Sequence, residues 1–119
     1  MIYIMYDLFN RKLKEFADDL VSIYPRENDF KIFQTALCGV LMIDKEMPQK
    51  YFDTYVVVPF EDKINAKDEQ FFLQKQEYEH SDLDIVSRLK NVWGNMNSEN
   101  RIAIWKYMQV LVYICKQCR

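Results

Sequence analysis

Two glycines and three prolines in 119 residues leave this chain few places to turn sharply. Glycine supplies the positive-φ positions and proline the preset bends on which hairpins and loop-rich folds depend. Their scarcity favours long helices joined by short connections over sheets. Half of the residues are apolar and fifteen per cent are aromatic. That is enough for a packed core, so a disordered chain is excluded. The length fits a single domain covering residues 1–119.

Apolar periodicity divides the chain into helices. The first is expected to start at Asp7, whose carboxylate can cap free amides, and to carry Phe9, Leu13, Phe16, Leu20 and Ile23 on one stripe until Pro25 stops it. The second is expected to be capped by Asn28 or Asp29. Its stripe of Phe30, Phe33, Leu37, Val40 and Leu41 is widened by Ala36, Cys38 and Met42, which predicts a central helix. Gly39 inside it costs about 1 kcal/mol against alanine, and close packing by a neighbour would explain it.

Pro48 suits the first position of a third helix, residues 49 to about 57, although Tyr55-Val56-Val57-Val58 also has strand character and Pro59 is expected to truncate it. Short helical turns anchored by Phe60, Ile64, Phe71, Phe72 and Leu73 follow, and then a polar loop over residues 74–80. Ser81 and Asp84 resemble a capping box before a helix through Leu83, Ile85, Val86, Leu89, Val92 and Trp93, ended by Gly94. Ser98 opens the last helix, to about residue 117, whose narrow polar strip predicts that the others pack around it. The expected fold is all-α: a compact bundle of about five to six helices around an apolar C-terminal helix.

Sixteen basic residues face eighteen acidic ones, a net charge of -2. A protein living on phosphate backbones usually carries a positive surplus. No run of eighteen apolar residues predicts a membrane span. The apolar opening Met1-Ile2-Tyr3-Ile4-Met5-Tyr6 is too short for a signal-peptide core. Three cysteines, an odd number, suit a reducing, intracellular setting.

Candidate chemistry is sparse. Cys115-Lys116-Gln117-Cys118 forms a C-x-x-C that, with Cys38 and His80, has the composition of a zinc site. It lies at the C-terminal end of a helix, where the macrodipole disfavours a thiolate, and it lacks a second close pair. Core and terminal thiols are the simpler expectation. His80 stands among Glu77, Glu79, Asp82 and Asp84, a setting for acid–base work. No nucleophile or oxyanion donor accompanies it in the sequence, so a solvated loop is expected. Glycine-rich phosphate loops, G-x-S-x-G and H-E-x-x-H are missing from the sequence. No catalytic residue, metal site or cofactor is therefore predicted.

Two stretches carry a family resemblance. Asp7-Leu8-Phe9-Asn10-Arg11-Lys12-Leu13-Lys14-Glu15-Phe16 leads to Tyr24-Pro25 and Phe30-Lys31. Ser98-Glu99-Asn100-Arg101 leads to Ile104-Trp105-Lys106-Tyr107-Met108-Gln109-Val110-Leu111. Together they resemble small helical proteins of the nucleocytoplasmic large DNA viruses, the giant viruses of protists and algae. The resemblance implies a viral protein of the host cytoplasm, the virus factory or the virion, and it carries over no site residues.

The function expected on these grounds is a non-enzymatic interaction or structural module, such as a minor virion component or a viral adaptor, binding a viral or host protein. Tyr3, Tyr6, Met47, Tyr51 and Tyr55 are its candidate docking residues. The alternative, from another class, is an accessory factor of viral transcription, replication or packaging that binds nucleic acid through Arg88, Lys90, Arg101 and Lys106.

Overall fold

The computed structural model describes residues 2–74 and 81–119. Helix α1 (Ile2–Ile23) is followed by α2 (Asn28–Ile43) and α3 (Met47–Phe52), which runs without a break through a π turn (Asp53–Val57) into α4 (Val58–Asn65). Then come α5 (Glu69–Leu73), α6 (Ile85–Val92), a 3-10 turn (Trp93–Asn95) and α7 (Ser98–Gln117). With α3, the π turn and α4 counted as one rod, the described residues form six helices and no strand. The fold is an all-α globule, with a radius of gyration of 13.4 Å, as one packed unit of this length should have.

Several boundaries differ from the sequence expectation. Helix α1 starts at Ile2 and not at Asp7. Tyr6 extends the buried stripe of Phe9, Leu13, Phe16 and Leu20 backwards by one turn, so the helix gains core contact upstream of the aspartate. At its other end Ile23 is exposed. Tyr24 takes its place, packing on Phe30 at 5.8 Å and accepting a hydrogen bond from Asn100 Nδ2 at 2.9 Å. Helix α2 begins after Glu27 without a side-chain cap: Asn28 and Asp29, the expected caps, both lie inside its first turn, and Asp29 pairs with Arg88.

The segment around Val56 and Val57 is helical, as expected, and both valines are buried. The helix runs on past residue 57 and through Pro59. The wider π turn just before Pro59 resets the hydrogen-bond register, so its missing N–H falls in the first turn of α4, where no partner is needed. Helix α4 closes in a Schellman motif. Lys67 adopts φ 52° and donates to Ile64 O at 3.1 Å, and Asp68 N–H reaches Lys63 O at 3.0 Å.

Asp84 alone caps α6. Its carboxylate accepts from the Ser87 amide at 3.0 Å and the Ser87 hydroxyl at 2.6 Å, while Ser81 Oγ binds Leu83 N–H instead of completing a capping box. Gly94 sits inside the 3-10 turn without positive φ, and so does not serve as the expected helix-ending residue. That turn delivers Trp93 to the core, where it stacks on Phe72 at 4.3 Å and meets Trp105 edge-on at 5.2 Å. Both indole N–H groups donate to the Glu69 carboxylate, at 2.7 and 3.3 Å. Asn97, one residue before the expected Ser98, caps α7 through the Asn100 amide. Helix α7 shares the central place with α1: the two pack together, and α7 also covers α4 and the π turn.

Candidate interaction surface

Helix α2 lies at the edge of the globule. It packs on α1, α3 and α6, burying Phe30, Phe33 and Leu37. Its other side faces outward. At about 100° per residue, Ile32, Thr35, Gly39, Met42 and Ile43 share that side, and all are exposed. Met42 and Ile43 are each 88% exposed. No charged residue occurs between Lys31 and Asp44. The expectation of a central α2 is thus corrected: the helix is apolar over much of its girth, but neighbours cover only one face. Gly39 meets no close neighbour, since a Cβ built there would find nothing within 4 Å.

The N-terminal half of this face borders a shallow cleft of about 500 Å³ lined by Asn28, Lys31, Ile32, Thr35, Ala36 and Asp82. Its C-terminal half carries the projecting Met42 and Ile43, and Met47 stands one tight turn beyond, its N–H bonded to Asp44 O. A hollow at one end and a protrusion at the other are what the helix presents to solvent. On α7, exposed Ile102, Val110 and Tyr113 are interrupted by exposed Lys106, which leaves no comparable uncharged stretch.

The aromatic residues expected to dock a partner are divided by the fold. Tyr3 and Tyr55 are exposed, as is Met47. Tyr6 is in the core, its hydroxyl pushed up in pKa by burial and then by the charge of Glu46. Tyr51 is half-buried, with its ring 4.5 Å from that of Tyr55 and its body against a crevice shared with Leu13, Phe33, Phe52 and Ile85. Tyr6 therefore finishes the core, while Tyr51 stays half open beside the exposed Tyr55.

The four basic residues are likewise not a free patch. Arg88 is 1% exposed; it pairs with Asp29 at 3.1 Å and Asp82 at 3.4 Å. The amino group of Lys90 lies 4.6 Å from the Phe71 ring centre and 5.9 Å from that of Phe60, and burial lowers its pKa. Arg101 donates twice to Trp93 O, at 2.8 and 3.2 Å, and pairs with Glu69 at 3.5 Å. Of the four, Lys106 alone is exposed. The sequence does carry a signal for the role of Arg88. Ile85, Arg88, Leu89 and Val92 recur at helical spacing, which places the arginine on the buried stripe of α6.

Cys38 is exposed on α2, whereas Cys115 and Cys118 are buried. Cys115 Sγ accepts from the Gln49 amide at 3.4 Å, and burial, followed by the Asp53 charge, pushes its pKa up to about 12. Buried and bonded to Gln49, this thiol packs as a core side chain. His80, Glu77 and Glu79 lie outside the described residues. Asp82 and Asp84, expected to stand beside the histidine, serve Arg88 and the cap of α6. Comparison with protein-family models, with curated proteins and with solved structures finds no match to this chain.

Proposed function

We propose that this chain is a non-enzymatic protein-interaction module that docks through the outward face of α2. The observation that carries the reading is the uncharged face from Ile32 to Ile43, with two large side chains held in solvent. Large apolar side chains exposed together on an uncharged face mark a partner site. The partner that fits is an apolar helix laid along α2, with an acidic group towards Lys31 and a basic group towards Asp44. Polar residues that sequence reading offered for chemistry support the same view, since Arg88, Asp84 and Cys115 are spent on holding α2, α6 and α7 in place. A minor virion component or viral adaptor is the role that agrees with the resemblance to giant-virus proteins. The nucleic-acid alternative loses its basic patch once Arg88, Lys90 and Arg101 are turned inward.

The test is affinity purification of the tagged protein from infected cells, with and without nuclease, alongside Ile32→Asp/Ile43→Asp and Tyr3→Ala variants. Loss of the same partners in the α2 variant alone, with nuclease immaterial, supports the reading. Retention of every partner by the α2 variant contradicts it.

A further inference from the structure

We infer that a slot between α1 and α7 is a binding site for a small branched alkylammonium ion, its alkyl end inside and its ammonium group on the carboxylate of Asp19. The slot has a volume of about 60 Å³ and is walled by Phe16, Leu20 and Ile23 of α1 and by Ala103, Ile104 and Tyr107 of α7. Two hydrogen bonds bridge the two sides at its rim. The Tyr107 hydroxyl donates to Asp19, and Asn100 Nδ2 donates to the Tyr24 hydroxyl at 2.9 Å; all four residues line the slot. These bridges brace the end of α1 against α7, and Ala103 is too small to fill the space between them. Phe16, Leu20 and Ile104 are buried and the Tyr107 ring stacks on Phe16 at 4.7 Å, so the floor is fixed before a ligand arrives.

Size and polarity select the occupant. The slot exceeds the roughly 10–15 Å³ that one water needs and is under half of the about 150 Å³ that takes a benzene ring in an apolar cavity. A short aliphatic end fits where a ring does not. Water gains little inside, because the walls are apolar apart from the bridged pairs at the rim, and an alkyl end that replaces it removes apolar surface from water. The rim decides the rest of the molecule. Asp19 is exposed and forms no ion pair among the described residues. Lys12, whose amino group lies 6.0 Å from the Tyr107 ring centre, is matched by Glu15 at 2.9 Å. A carboxylate without a counter-ion at the mouth of an apolar slot favours a cationic head over a neutral one. The slot shares no residue with the outward face of α2, so its failure leaves that reading untouched.

Isobutylamine, protonated at neutral pH, is the probe. It is titrated into the isotope-labelled full chain at constant ionic strength, backbone amide shifts are followed by NMR, and isobutanol and methylamine serve as controls. The native protein should show saturable shifts around Phe16, Leu20, Ala103 and Ile104, with a dissociation constant of about 1–10 mM, as suits so small a ligand. Each control lacks one half of the match and should bind at least about fivefold more weakly. Ala103→Leu, at an exposed position of α7 and with circular dichroism to confirm folding, should fill the slot and abolish the shifts. Asp19→Asn keeps an acceptor for Tyr107 and should bring isobutylamine and isobutanol to within about twofold of each other. Shifts that never saturate, or that persist in Ala103→Leu, overturn the site. Isobutanol binding the native protein as tightly as isobutylamine overturns the ammonium as its ligand.

Discussion

Arg88 shows how one residue can change meaning between sequence and fold. In the sequence it is a cation near other cations. In the structure its guanidinium is enclosed between α2 and α6, held by Asp29 from one and by Asp82 from the approach to the other. It thereby fixes the inner side of α2, and so determines which side is left facing out. Removing it leaves a void and an acidic group without its counter-charge. Arg88→Ala should therefore lower unfolding stability by about 2–4 kcal/mol, below the extreme for buried pairs because Asp29 and Asp82 keep access to water. Arg88→Met keeps the volume and should lie closer to native. Urea unfolding of the two variants checks this; equal stability of Arg88→Ala and native would show that the pair contributes little.

Among the elements, the internal stripes were readable, but not their ends. Phe9, Leu13, Phe16 and Leu20 on α1, and Ile104, Trp105, Met108 and Leu111 on α7, are buried as their spacing predicts. Caps and stops were harder to read, because tertiary contact and local geometry compete with the signal residues there. Both glycines occupy positions that need no positive φ, while the left-handed position after α4 is filled by Lys67. No composition rule locates that position. Lys67→Gly should stabilise the protein by about 0.5–1 kcal/mol, relief of left-handed strain outweighing the freedom that glycine adds to the unfolded chain. A thermal melt reads the effect, and a fall in midpoint would contradict the Schellman assignment. The proposed docking face is half legible in the sequence: the apolar girth of α2 is evident, but periodicity cannot show how many neighbours a helix will have. The burial of Tyr6 is hidden for the complementary reason, since an aromatic residue with a polar tip reads as surface until the packing is known.

For the molecule as a whole, Tyr107 and Cys115 are kept protonated in ways that alkali should expose. Tyr107 donates its hydroxyl to Asp19, and its pKa rises from 10.0 to about 12, through burial first and the Asp19 bond second. Cys115 rises from 9.0 to about 12. Each is an acid that holds its proton more tightly in the folded state. Each contribution is therefore complete below the unfolded pKa and is lost as pH climbs through the folded one, between 9.0 and about 12 for the thiol and between 10.0 and about 12 for the phenol. The urea midpoint should fall across that window, and less steeply in Tyr107→Phe; an unchanged slope in the variant would remove Tyr107 from the account.

The same molecule presents its longest uncharged surface on α2, and the central claim is that this face is for docking. Comparison of the partners captured from cells by the tagged native protein and by its Met42→Glu variant, with circular dichroism to check that both are folded, tests it most directly. The account predicts that the folded variant loses the partners that the native protein holds, because Met42 stands in solvent on the outward face of α2. Capture of the same partners by the folded variant would contradict docking through α2.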